Sequence, residues 1–174
     1  WSIDSLDKIR DLDVSLPDFL RVVIAVDPSG ADSENCENDA IGICVVALGV
    51  DGRAYVLEDL TVKGSPSVWG KVATDAFQRH QADRIIGEAN YGGDMVRHVI
   101  QTARPSTPYK AVTASRGKVQ RAEPISALCD VDKVVLAGNF PDLEEELCSF
   151  TTSGYIGENS PNRADAFIWA ITEL

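Results

Sequence analysis

The sequence predicts a mixed α/β fold: one sheet of mixed strand direction with helices on both faces. Three observations predict it. Residues 21–61 hold apolar runs separated by turn signals, the pattern of an antiparallel meander. From Ser65 onward, stretches with apolar residues at helical spacing alternate with short extended ones. The chain has 174 residues, 44% hydrophobic and 25% charged, which suits one compact domain with a sizeable core.

Residues 1–20 are polar with scattered Ile and Leu and close on Leu16-Pro17-Asp18. They read as a linker or short helix from a removed N-terminal region, ahead of a domain spanning 21–174. The start at Trp1, without an initiator Met, and the stop in mid-helix at Leu174 are expected of a chain cut from something longer. Residues 21–26, apolar from Val22 onward, read as a central strand, and 29–38 form a polar, acidic loop. A second apolar run covers 41–48, Val50-Asp51-Gly52-Arg53 is a hairpin signal, and 54–61 is the third strand.

Ser65 and Pro66 then place an N-cap and a first-turn proline. Val68, Trp69, Val72, Ala73, Ala76 and Phe77 continue that helix to His80. Residues 84–87 are a short strand reaching Glu88, and Gly92-Gly93 opens a helix with Met95, Val96, Val99 and Ile100 on one face. Pro105 and Pro108 stop it, and 109–113 is a fifth strand. Residues 118–129 are helical in part, with Pro124 near the start or kinking the helix. Residues 134–136 are extended, 142–150 form an acidic helix, and 151–162 form a Gly/Ser/Asn loop. The last helix, 163–174, has Ala164, Phe167, Ile168, Ile171 and Leu174 as its apolar residues.

Several function classes lack material. No apolar run approaches a membrane span, and the first residues carry no basic-then-apolar leader pattern. Cys36, Cys44, Cys129 and Cys148 show no CxxC pairing, and Cys44, Cys129 and Cys148 lie in apolar segments and read as small hydrophobes, so a cytoplasmic setting is the default. His80 and His98 sit in no zinc-ligand spacing, and little is available for a Ser-His-Asp triad. Residues 64–71 imitate a phosphate loop, but Val72 stands where Ser or Thr is needed and the spacing is one residue too long. Residues 32–39 are acidic yet lack the glycine and closing Glu of an EF-hand loop.

The net charge of −11 opposes nucleic-acid binding as a whole-molecule property. Its distribution is uneven. Lys110, Arg116, Lys118 and Arg121 cluster within twelve residues, while acids gather at 27–39 and 142–146. Local potential decides where a polyanion docks.

The informative acids stand at element ends. Asp27 follows Val22-Val23-Ile24-Ala25-Val26 and precedes Pro28, Glu88 follows Ile85-Ile86-Gly87, and Asp165 falls in the first turn of the last helix. In α/β folds, ligands gather at the carboxyl ends of strands. Three carboxylates brought there repel one another unless cations sit between them, an arrangement that suits hard divalent metals and phosphoryl-transfer chemistry. Asp39, just before the second strand, and Asn90, two residues past Glu88, are candidate supporting groups. Glu58-Asp59 is a further acid pair on the third strand. Arg116-Gly117-Lys118 with Arg121 is the best candidate for gripping a phosphate backbone.

Six segments, taken in order, resemble a known family: 21–28, 55–59, 65–69, 82–96 with Gly87-Glu88-Ala89-Asn90-Tyr91-Gly92-Gly93, 114–122 with Ser115-Arg116-Gly117-Lys118, and 160–166 with Asn162-Arg163-Ala164-Asp165. They resemble the C-terminal nuclease domain of the large terminase subunit of tailed phages and prophages. The resemblance covers residues 21–174 and implies a ribonuclease H-like fold. It implies Asp27, Glu88 and Asp165 as the catalytic acids, holding two Mg²⁺ or Mn²⁺ ions, with Arg116, Lys118 and Arg121 toward DNA.

The activity implied is endonucleolytic cleavage of double-stranded DNA during phage genome packaging in the host bacterial cytoplasm. Its implied partners are an N-terminal ATPase domain in the full protein, the small terminase subunit and the portal. Many relatives carry an acid where this chain has Asn162. Two other readings stand beside this one: a noncatalytic module that guides DNA or docks a protein, and another ribonuclease H-like nuclease such as a junction resolvase.

Overall fold

The computed structural model describes residues 1–28, 40–89 and 93–174. The acidic loop expected at 29–38, with Cys36, Asp39 and Asn90, lies outside the described residues. In chain order the elements are α1 (Ile3–Ile9), β1 (Phe19–Asp27), β2 (Ala40–Gly49), β3 (Ala54–Asp59), β4 (Val62–Lys63), α2 (Pro66–Arg79), β5 (Arg84–Glu88) and α3 (Gly93–Ala103). Then come β6 (Tyr109–Val112), α4 (Lys118–Asp130), β7 (Val134–Leu136), α5 (Pro141–Cys148), β8 (Phe150–Thr151), β9 (Gly154–Tyr155) and α6 (Asn162–Glu173).

The sheet runs β6-β5-β1-β2-β3-β7, with the two-residue β4 paired to β2. β1, β2 and β3 are the antiparallel meander, and β5, β6 and β7 add in parallel to their neighbours. The meander's tight turn is built where Asp51-Gly52 indicates. Gly52 has φ 75°, which favours glycine, and Asp51 accepts bonds from the Arg53 N–H at 3.2 Å and the Tyr55 hydroxyl at 2.6 Å.

The continuous apolar runs are explained by burial on both sides. Along β1, Val23 and Ala25 enter one core, while Val22, Ile24 and Val26 enter the other. In β2, Cys44 and Val46 go one way and Ile43, Val45 and Ala47 the other. The first core is covered by α1, α4, α5 and α6, and the second by α2 and α3. Each fully buried large aliphatic or aromatic side chain contributes about 1.5–3 kcal/mol of hydrophobic stabilisation.

α1 packs into the first core through Leu6 and Ile9, and Trp1 meets Phe150 and Phe167 edge-on. Two features differ from expectation. The last residue read as helix, Phe150, and the stretch read as a loop after it form the short antiparallel pair β8–β9, whose two-residue strands are too brief to leave an alternating pattern. Pro124 lies well inside α4, where the helix nevertheless buries Ala122, Ile125 and Cys129. Cys44 and Cys129 are buried free thiols and Cys148 is half-buried. Among the described residues, no helix is long and apolar enough to cross a membrane.

Candidate active site

Strand parity aims two of the acids. Asp27 shares its side of β1 with Val23 and Ala25, and Glu88 shares its side of β5 with Ile86, so both face the α6 side of the sheet. The parallel register pairs Val26 with Gly87, which sets Asp27 next to Glu88 at the carboxyl ends of adjacent strands. Asp165 arrives from above, in the first turn of α6, which packs across β1 and β2.

The start of α6 is seated by a set of polar contacts. The Asn162 amide donates to the Ala40 carbonyl, and the Ala164 N–H donates to Glu146 Oε2 at 3.0 Å. Arg163 reaches Asp59 Oδ2 at 2.9 Å on β3 and Asp142 Oδ2 at 3.0 Å on α5. Gly42, opposite Asp27 in the β1–β2 register, completes the seat: a Cβ there would lie 1.9 Å from the Asn162 carbonyl oxygen. The strand carries a glycine at this position because the helix backbone rests on it. Of the acid pair on β3, Asp59 is thus tied to Arg163, and Glu58 pairs with Arg79.

Asp27 and Asp165 are buried, with 4% and 2% of their surface exposed. Burial pushes the Asp27 carboxyl up to about 8, with Asp165 and Glu88 adding to the rise and Lys118 and Arg121 opposing it. Asp165 is also raised by burial, against the pull of Lys118 and Arg121. Lys118 Nζ donates to Asp165 Oδ2 at 2.6 Å and to Ser160 Oγ at 3.4 Å. Arg121 Nη2 donates to Asp165 Oδ1 at 3.4 Å, and its Nη1 lies 4.0 Å from Glu88 Oε2. Three carboxylates therefore face two side-chain cations, leaving one excess negative charge (−3 + 2 = −1) when all are ionised. Asp27 Oδ2 is buried and meets no donor among the described residues.

The basic loop divides by burial. Arg116 is exposed, the Lys118 side chain is 40% exposed, and the Arg121 side chain only 11%. Arg121 lies within the acid cluster, its guanidinium 4.7 Å from the centre of the Trp169 ring. Trp169 in turn donates its indole N–H to Glu88 Oε2 at 3.2 Å. Sequence reasoning passed over Trp169 as part of an apolar helix. The signal was its place four residues after Asp165, which puts both on one helical face.

The donor set is all carboxylate oxygen, which fits hard divalent cations rather than zinc or copper. The Asp27 oxygen without a donor among the described residues, and the negative charge that appears when Asp27 ionises, are what such a cation would satisfy. Among the described residues, no three His, Cys, Asp or Glu side chains are gathered tightly enough to hold an ion as they stand. Lys118 and Arg121 supply the counter-charge at Asp165 in this arrangement.

The family profile described as the terminase RNaseH-like domain matches residues 24–174. The chain belongs to this family. Its fold agrees with solved terminase nucleases over nearly its whole length. The large terminase nuclease of thermophilic phage G20c has a TM-score of 0.70 at 15% identity, over 97% of this chain and 96% of that one. A variant nuclease domain of the large terminase subunit of bacterial virus Sf6, solved with manganese and beta-thujaplicinol, gives 0.67 at 16% identity over 97% and 96%. The human cytomegalovirus terminase nuclease domain gives 0.67 at 13% identity over 98% and 93%. At these identities the likeness shows the ribonuclease H-like terminase fold. A comparison with curated proteins found no match.

Proposed function

We propose that this terminase nuclease domain is a divalent-metal-dependent endonuclease that cuts double-stranded DNA during phage genome packaging. The observation that carries the proposal is the convergence of Asp27, Glu88 and Asp165 from β1, β5 and α6, with a buried Asp27 oxygen that no donor reaches among the described residues. The three acids would hold Mg²⁺ or Mn²⁺, as a pair of ions. Such ions, when bound, supply an activated water and neutralise charge on the leaving 3′ oxygen. Manganese in the Sf6 nuclease structure is in keeping with this choice.

The chain's own residues divide the remaining tasks. Burial holds Asp27 and Asp165 against the sheet, so their carboxylates are pre-aimed and need little reorganisation. Lys118, part-exposed on Asp165, is placed to exchange that carboxylate for an arriving phosphate. Arg116, exposed just before α4, extends the same basic edge toward a DNA backbone. Arg121, half-buried over Trp169, stays with the acids and limits their mutual repulsion. Asp39 and Asn90 are proposed as supporting groups by their sequence neighbourhood. In the full protein the proposed partners are an N-terminal ATPase domain, the small terminase subunit and the portal, in the host bacterial cytoplasm.

The net charge of −11 favours one rival, a module that guides DNA or docks a protein without cutting. A metal series separates the readings. Supercoiled plasmid, linear duplex and a four-way junction are incubated with the chain in Mg²⁺, Mn²⁺, Ca²⁺ or chelator. Nicking and linearisation in Mn²⁺ or Mg²⁺, absent in chelator and no better on the junction, is the expected result. Intact DNA under every metal would favour the docking module, and cutting confined to the junction would favour a resolvase.

A further inference from the structure

One buried side chain beside the acids, Trp169, has polar engagements to which the proposed chemistry assigns no role. Trp169 sits one helical turn beyond Asp165 on α6 and is 8% exposed. A buried indole N–H normally finds an acceptor. Here the acceptor is Glu88 Oε2, at 3.2 Å across the interface between α6 and β5. The face of the same ring carries the Arg121 guanidinium, at 4.7 Å, and Arg121 reaches Asp165 Oδ1 at 3.4 Å.

One aromatic residue therefore touches both the acid from the sheet and the cation that serves the acid from the helix. A glutamate at a strand end has three side-chain torsions to fix, more than either aspartate, so Glu88 gains most from a donor that holds one of its oxygens. Among the described residues, Arg121 Nε and Nη1 are buried without a hydrogen-bond partner, and the ring face and the nearby carboxylates are what the guanidinium packs against there.

We propose that Trp169 is a positioning residue of this site: its indole N–H fixes the Glu88 carboxylate while its ring face seats Arg121 beside Asp165. The inference rests on the nuclease reading for what the positioned groups are used for. The contact from Trp169 to Glu88 is independent of that reading. Trp169→Phe keeps an aromatic ring against the first core and removes only the N–H and the outer part of the indole.

The test is a double-mutant cycle on Mn²⁺ affinity, measured by electron paramagnetic resonance without DNA, using Trp169→Phe, Glu88→Gln and the double variant. Trp169→Phe is expected to weaken Mn²⁺ binding about tenfold, as losing a group that orients a metal ligand does. In the Glu88→Gln background the same change should cost less than roughly twofold, because the residue it acts through is already altered. The indole ¹⁵N–¹H signal that Trp169→Phe deletes should also move in Glu88→Gln.

Unchanged Mn²⁺ affinity in Trp169→Phe, or equal weakening in both backgrounds, overturns the positioning role. A wild-type chain that takes up no Mn²⁺ overturns the nuclease reading instead. The indole signal then still decides the contact, since a signal unmoved in Glu88→Gln overturns it.

Discussion

Asp27→Asn is expected to abolish plasmid cleavage while making the fold harder to melt. The two effects come from one cause. Asp27 is buried where a charge is expensive, beside two other carboxylates, so its ionised form is useful only when a cation shares the site. Removing the charge should lower cleavage by more than about 100-fold, since even groups that merely orient a metal ligand are worth about 10–100-fold.

The stability effect has a definite sign. In the fold, Asp27 keeps its proton to about 8, far above the ordinary carboxylate value, so the unfolded chain binds fewer protons between those limits. Asp27's contribution to wild-type stability therefore falls as pH rises from about 4 to about 8 and levels off above, a contribution the amide lacks. The Tm advantage of Asp27→Asn in chelator should be near zero at pH about 4 and on the order of 5 °C or more near pH 8.

Asp165→Asn provides the contrast. It should also stop cleavage, but Lys118 and Arg121 offset part of what burial costs its carboxylate, so its Tm gain should be smaller than that of Asp27→Asn. Circular-dichroism melts across pH, run beside the plasmid assay, check both variants. Equal Tm changes for the two would contradict the charge distribution described for the site.

The second large effect concerns a residue with no chemistry of its own. Gly42→Ala would push a methyl group to within 1.9 Å of the Asn162 carbonyl oxygen and 3.2 Å of the Arg163 nitrogen. Neither side yields easily. β2 is held on both edges by β1 and β3, and the α6 start is clamped by Asp59, Asp142 and Glu146. The expected cost is about 3 kcal/mol, the upper range of overpacking, or a Tm lower by roughly 6–12 °C for a domain of this size. Because Asp165 rides on the displaced turn, cleavage should fall further than the loss of folded protein accounts for. A melting curve paired with activity per folded molecule measures the two parts separately.

These expectations show which levels of the structure were legible in the sequence. The apolar runs of β1 and β2, the Asp51-Gly52 turn and the Ser65-Pro66 helix start are local signals, and they report the meander and the first crossover helix directly. Asp27, Glu88 and Asp165 are legible as acids at element ends because an acid after an apolar run is conspicuous. The assignment of Lys118 and Arg121 to different environments was not legible. Both are half-buried basic residues of α4, and only the packing of α4 on α6 leaves the Lys118 side chain 40% exposed and the Arg121 side chain 11%. Trp169 was hidden for the same reason, since its acceptor is 81 residues away in sequence. Gly42 looked like any small residue in a strand until the helix backbone was found resting on it.

In the proposed function Asp27, Glu88 and Asp165 form a site for a divalent cation, held by burial and partly neutralised by Lys118 and Arg121. Anomalous scattering from crystals soaked in millimolar Mn²⁺ tests it most directly. The account predicts a manganese peak in contact with Asp27 and Asp165, with Lys118 Nζ withdrawn from Asp165 Oδ2, and no peak in crystals of Asp27→Asn. A fully ordered site with no manganese beside Asp27, and Lys118 still bonded to Asp165, would contradict it.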